Sequence, residues 1–371
     1  MNKEQKPILL IGDTVSPQTA DAFRQDGRFD VITASIGQFP SGGLFVELFR
    51  GEEKLSEENA AKIKGAKAYI LQSAPESDPA AFQHMLTMAH TLKWYGASSV
   101  TAVNPFLPNM RQDRSLKDRF TSVAADLTAK QMAAAGIDSV YTVTPHSKDA
   151  IKHYEKIFGD DFHVVTTTEM FAEDIKQRFD TSPDELSIGA PDGADKMGDE
   201  GQQRARDLTK AVFGKNDDDA MFRISKVHTG VSDTKITSFN GDVAAKDAVL
   251  IDDMIDGGST TINAANILKA HGAKSVTAYV THPLLTGNAL ENLLSAKPDG
   301  MNHAIDKIVV TDSIPDVRRK LRELARIRPS LANRVEILST APALLKQIDA
   351  DQKQAAVPFM QRRRAPGASG P

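Results

Sequence analysis

Ten consecutive residues, Asp252 to Thr261 (DDMIDGGSTT), hold three carboxylates, two glycines and three hydroxyls, directly after the apolar run AVLI at 248–251. Gly257 and Gly258 let backbone N–H groups approach an anion closely, and a helix starting at the next residues adds partial positive charge there. Ser259, Thr260 and Thr261 can donate hydroxyl hydrogen bonds to phosphate oxygens. Asp252 and Asp253 would repel that phosphate, so they need another purpose. A sugar phosphate reconciles the two: the turn holds a 5-phosphate while the carboxylates accept from ribose hydroxyls. Asp256 can serve the sugar or simply cap the helix. A pentose 5-phosphate site is the expectation.

Other stretches could do related chemistry. MRQDRSLKDR (110–119) places Arg111 and Arg114 around Gln112 and Asp113, just after a strand. Guanidinium forks in that arrangement clamp a polyphosphate, or else pair with neighbouring surface acids. TVTPHSKD (142–149) sets His146 on a turn, and SIGAPDGADK (187–196) sets Asp192 just beyond a short strand. RISKVHTGVSDTKI (223–236) is polar, contains glycine and reads as a hairpin-like loop carrying Lys226 and His228. No cysteine is present, which removes disulfides, thiolate catalysis and Cys-based zinc sites.

Those residues need a scaffold, and the chain is long enough for two domains: 371 residues, 40% of them hydrophobic. With 45 basic against 49 acidic residues, no cationic field exists to bind nucleic acid. No run approaches the roughly 20 apolar residues of a membrane span. The start, MNKEQKPILLIGD, does not read as a signal peptide, so a cytoplasmic location is expected. Strand-like runs (66–73, SSVTAVNPF, SVYTVTP) alternate with helical ones (78–96, 122–136), which implies parallel sheet in a doubly wound α/β architecture. LKWYGASSVTAV (92–103) and LKAHGAKSVTAY (268–279) match at eight of twelve positions, suggesting two similar domains. The expected division is 1–160 and 161–348, with a last strand and helix in 335–348 that can pack back on the first domain. Residues 349–371 read as a solvated tail.

VLIDDMIDGGST resembles the ribose 5-phosphate loop of ribose-phosphate pyrophosphokinases (phosphoribosyl pyrophosphate synthetases) and, more loosely, that of type I phosphoribosyltransferases. The RQDR segment, His146, Asp192, Lys226, TDSIPD (311–316) and LSTAPALL (338–345) follow the synthetase order over about residues 30–348. The resemblance implies two tandem type I phosphoribosyltransferase-like domains with mostly parallel sheets. The first would carry the ATP side and the subunit contacts, and the second the ribose 5-phosphate site. It implies transfer of the diphosphoryl group of ATP to ribose 5-phosphate, with Arg111 to Arg114 and Phe39 on ATP. His146 and Asp192 would hold Mg²⁺, and Lys226, with His228 beside it, would be catalytic. The family forms homo-oligomers built from dimers, up to hexamers, whose ATP sites lie between subunits.

Several positions depart from the family. Its Phe-Ser-Asp-Gly-Glu motif appears as FPSGG (39–43), with Ser41 and Gly43 in place of the acids. Thr144 stands where the magnesium segment has aspartate, and Lys226-Val227-His228 replaces Lys-Arg-Arg. Gly257 and Ser259 replace a threonine and a glycine. Two readings follow: an active enzyme with a modified nucleotide pocket, or a catalytically silent homologue that binds ribose 5-phosphate or nucleotide and regulates a partner.

Overall fold

The computed structural model describes residues 6–49, 57–116, 119–191, 200–215, 217–228, 234–297, 300 and 303–356, and for 226–228, 234–237 and 355–356 the backbone alone. In the first half the apolar runs become β1 (Ile8–Ile11), β2 (Asp30–Ile32), β3 (Ala34–Gln38), β4 (Leu44–Leu48), β5 (Lys67–Leu71), β6 (Ser99–Asn104), β7 (Ser139–Val143) and β8 (Phe162–Val165). Strands β3 and β4 pair as an antiparallel hairpin. The others form one parallel sheet in the order β2-β1-β5-β6-β7-β8. The second half gives β9 (Leu186–Gly189), β10 (Arg223–His228), β11 (Thr234–Asn240), β12 (Asp247–Ile255), β13 (Ser275–Pro283), β14 (Lys307–Thr311) and β15 (Val335–Leu338). Its parallel sheet runs β15-β14-β13-β12-β9, with β10 and β11 as a separate antiparallel hairpin.

Both faces of each sheet are covered, which is why the strands read as unbroken apolar runs rather than alternating ones. One face of the first sheet packs on Phe82, Met85, Met132 and Tyr154 from three helices, and the other on Phe23, Leu344 and Ile348. In the second domain Leu268, Leu293 and Leu324 cover one face, and Phe171, Ile175 and Leu208 the other.

The internal repeat survives in three dimensions as a shared local device. Helix Pro79–Trp94 ends at Gly96 (φ +90) and helix Ser259–Ala270 at Gly272 (φ +87), a backbone conformation that suits glycine. The strand that follows receives the same support in both domains. Asp138 accepts the Val100 N–H at 2.7 Å and pairs with Lys93 at 2.7 Å. Asp306 accepts the Val276 N–H at 2.7 Å and pairs with Lys269 at 2.8 Å.

Two boundaries differ from the sequence expectation. The first sheet extends past residue 160 to take in β8. The expected tail from 349 begins as helix, because Ala341–Ala356 is one continuous element. Its polar residues are bonded to the first domain: Asp349 faces Arg28 at 3.6 Å, Asp351 accepts from Tyr141 at 2.8 Å, and Gln352 donates to Tyr69 at 3.1 Å.

Candidate functional site

Strand β12 lies between β13 and β9, and its carboxyl end delivers Asp252 and Asp253 to the edge of the sheet where open α/β folds bind ligands. Asp253 is 2% exposed. Its carboxylate accepts from His146 Nδ1 at 2.7 Å and from Arg204 Nη2 at 2.8 Å, so the imidazole carries its proton on Nδ1. Asp252 lies 3.5 Å from the same guanidinium and accepts the Asp253 N–H at 2.9 Å. Burial pushes the Asp253 pKa upward, but the His146 hydrogen bond and the Arg204 charge outweigh it and hold the group at about 2. The carboxylate is therefore charged at neutral pH.

The turn after β12 is held from both domains. Asp256 accepts from Thr286 Oγ1 at 2.6 Å and forms an ion pair with Arg111 of the first domain at 3.1 Å. The residue at the cap position of helix Ser259–Ala270 is Gly258 rather than Asp256, and no side chain caps it. The first amides of that helix are thus open to an anion. The two glycines are not equivalent. Gly258 has φ +82, and a Cβ there would sit 2.8 Å from Leu293, so both backbone and space demand glycine. A Cβ at Gly257 would meet nothing within 4 Å. Ser259 is exposed and Thr260 half-buried, whereas Thr261 is buried in the underside of the helix.

Across the cleft, β7 leads into Thr144 and His146. Thr144 has φ +36, unusual for a β-branched residue, and its buried hydroxyl has no partner among the described residues. Ser147 caps helix Lys148–Phe158 and donates its hydroxyl to Asp113. Asp113 is itself buried, and its carbonyl receives His153 Nε2 at 2.8 Å, so this acid braces the His146 turn. Its neighbours point outward. Gln112 is exposed and accepts from Ser122 at 2.8 Å, while Arg114 is 74% exposed with Asp149 3.9 Å away. Phe39 stands at the tip of the β3–β4 hairpin, 56% exposed and packed on Phe45. That hairpin lies against the Phe82–Leu92 side of the first domain.

Lys226 and His228 lie on β10, where they pair in register with Ile236 and Thr234 of β11. The root of this hairpin is anchored by Phe222 and Ile224 in the second core. Asp192 lies outside the described residues. The structure thus brings together Arg111, His146, Asp252, Asp253 and Asp256.

Three residues at this junction were given no role by the sequence reading, although Asp312 lies in the TDSIPD stretch that it quoted. Arg204, on helix Glu200–Phe213, shares the i, i+4, i+8 stripe of buried Leu208 and Val212. A cation on a core-facing stripe was the available signal. His282 is buried at the end of β13. Its Nε2–H points at the Val143 and Thr144 carbonyls, both 3.1 Å away, and its Nδ1 lies 2.9 Å from Ser313 Oγ. Burial lowers its pKa to about 4, so it is a neutral tie between the domains. Asp312 accepts from Ser16 and from Thr19 (2.7 Å) of the first domain and from the Thr340 N–H at 2.8 Å. Nothing local in the sequence marks the last two as contacts.

Comparison with known proteins places these features in company. The model of the N-terminal domain of ribose phosphate pyrophosphokinase matches residues 9–136, and that of the phosphoribosyl synthetase-associated domain matches 196–329. A ribose-phosphate pyrophosphokinase from Marinomonas sp. is 33% identical over 310 residues, 83% of this chain and 87% of that protein. One from Chromobacterium violaceum is 33% identical, covering 83% of each. The crystal structure of phosphoribosylpyrophosphate synthetase from Mycobacterium smegmatis superposes with a TM-score of 0.72 at 24% identity, over 94% of this chain and 100% of that one, which is a likeness of fold.

Proposed function

Because this chain belongs to the ribose-phosphate pyrophosphokinase family, we propose that it moves the β,γ-diphosphoryl group of ATP onto the 1-hydroxyl of ribose 5-phosphate, giving phosphoribosyl pyrophosphate and AMP. The reading is carried by the charged, buried Asp253 carboxylate. It lies between His146 of one domain and Arg204 of the other, beside an uncapped helix turn. In the reaction a bond forms from the 1-oxygen to the β-phosphorus. The bond from that phosphorus to the α–β bridging oxygen breaks, and the hydroxyl gives up its proton.

Asp252, Asp253 and Asp256 orient the ribose, while the amides of Gly257 to Thr261 and the Ser259 and Thr260 hydroxyls hold its 5-phosphate. Arg111 and Arg114 steady the triphosphate. Lys226 offsets charge developing on the diphosphoryl group, with His228 on the same arm of the hairpin. Such transfers need positioning and electrostatics more than covalent chemistry.

By the family resemblance His146 would be one protein ligand of Mg²⁺, although an imidazole nitrogen is an unusual donor for that oxygen-seeking ion. That imidazole gives its Nδ1–H to Asp253, and among the described residues its Nε2 has no hydrogen bond, on a side chain 36% exposed, the arrangement of a metal-binding histidine backed by a carboxylate. Asp192 would be the second protein ligand, and the ion when bound neutralises triphosphate oxygens. No helix among the described residues is long and apolar enough to cross a membrane, in keeping with action in the cytoplasm. The protein works as a homo-oligomer in which the exposed Phe39 serves the nucleotide site of a neighbouring copy. Incubating purified protein with ATP, Mg²⁺ and ribose 5-phosphate tests the reading. AMP should appear only when the sugar is present, and its absence at every sugar concentration overturns the assignment.

A further inference from the structure

Two neighbouring strands of the second sheet reach the same turn of the first domain. Met254 of β12 lies opposite His282 of β13, so Asp253 and His282 stand at the same end of the sheet. The turn they meet is Val143-Thr144-Pro145-His146, which leads from β7 toward helix Lys148–Phe158. Asp253 takes the His146 Nδ1–H at 2.7 Å. His282 takes the start of the turn, its Nε2–H shared between the Val143 and Thr144 carbonyls, each 3.1 Å away.

Backbone strain gives that second grip its importance. Thr144 has φ +36, a left-handed conformation disfavoured in a side-chain-bearing residue by about five- to thirtyfold. The first domain holds the turn through the Thr144 N–H, which donates to Val165 at 2.9 Å, and through the Ser147 cap. The second domain holds the carbonyl side, and the ring that does so is itself fixed. Both Nε2 partners are acceptors, so the proton sits on Nε2, and the Ser313 hydroxyl donates to Nδ1 at 2.9 Å. Phe106 packs edge-on against the imidazole at 4.9 Å, and the Ser73 hydroxyl donates to the Ser313 carbonyl at 2.5 Å. A rigid donor on one domain thus offsets the strain of a backbone conformation on the other.

We propose that His282 is a positioning residue for the transfer site, which holds the Thr144 turn in its left-handed conformation and so sets where the His146 ring stands. It touches no reacting atom. Because it acts across the domain junction, the aim of His146 depends on the two domains being docked. The effect on rate rests on the reading of the site given above, whereas the strain can be measured without any substrate.

Urea unfolding of Thr144→Gly, His282→Leu and the double variant forms a cycle that needs no substrate. Glycine adopts the left-handed conformation without strain. Thr144→Gly should therefore raise the folding constant of the parent at least threefold more than that of His282→Leu, where the turn has already relaxed. In the AMP-forming assay His282→Leu should lower kcat at least tenfold, with ribose 5-phosphate binding within twofold of the parent. His282→Gln keeps an N–H for the two carbonyls and should hold kcat within threefold. Adding Thr144→Gly to His282→Leu should recover most of the lost rate, a rescue that a merely structural contact would not show. Should His282→Leu not fold, Ser313→Ala, which frees the ring at Nδ1, takes its place in both assays and should lower kcat at least threefold. Additive effects in urea, or an undiminished kcat in the variant that breaks the contact, would overturn the inference. A parent that forms no AMP overturns the transfer reading instead, while the urea cycle still decides whether His282 holds the turn.

Discussion

Asp253→Asn removes one negative charge from a group 2% exposed while keeping its shape, so the amide stands in for the protonated carboxyl. The step from the ordinary 3.8 down to about 2 is worth about 2 kcal/mol of folding free energy. Because the folded value is the lower one, this stabilisation is complete above about pH 4. It fades as pH falls toward 2, and is about half gone near pH 3. At pH 7 the variant should therefore melt about 4–8 °C below the parent, at about 2–4 °C per kcal/mol for a domain of this size. Scanning calorimetry at pH 7, 5, 4 and 3 follows the gap, which should narrow only below pH 4. An unchanged melting temperature at pH 7, or a gap that stays constant down to pH 3, would refute the electrostatic account. Titration with ribose 5-phosphate should show weaker binding in the same variant and ATP binding left as it was.

Lys226→Ala should lower turnover by about 10²–10³-fold with ribose 5-phosphate binding nearly intact, as expected for a charge that acts on the transferred group; calorimetric titration separates the two effects. Gly258→Ala forces a Cβ into a φ +82 conformation 2.8 Å from Leu293, and should cost about 1–2 kcal/mol of stability in urea unfolding. Gly257→Ala, with open space and an ordinary φ, should be close to neutral in the same assay. His282 is held at about 4, below its ordinary 6.5, so the parent should lose stability as pH falls from 6.5 toward 4, by about 3 kcal/mol. His282→Gln should flatten that slope, and a slope identical to the parent's would assign the pH dependence to other groups.

The carboxylate strand end and the glycine turn were legible because strand, turn and helix are contiguous, and their chemistry is read from neighbours in the chain. Partners distant in sequence were not. Asp113 sits between two arginines and reads as part of a polyphosphate clamp, yet its carboxylate is used on Ser147, 34 positions away. Arg204 looks like any helix cation until its stripe is drawn and Asp253 is found opposite it. The polar composition of 349–356 suggests a solvated tail, because Arg28, Tyr69 and Tyr141, the groups those side chains bond, lie hundreds of residues earlier. The departures from the family at Thr144 and Gly257 read differently in space. The first occupies a strained backbone position facing the interdomain tie, while the second lies where a side chain meets no obstacle.

Helix Ala341–Ala356 closes the chain on the sheet where it began, so the second domain is threaded into the first as an insert anchored at both ends. A truncated product ending near residue 160 would lack both β8 and this helix. It would bare Leu9, Tyr69, Leu71, Val103 and Tyr141 on one face, an adhesive surface that invites aggregation. During synthesis the first sheet must accordingly wait, half-clothed, until helix Ala341–Ala356 has been made.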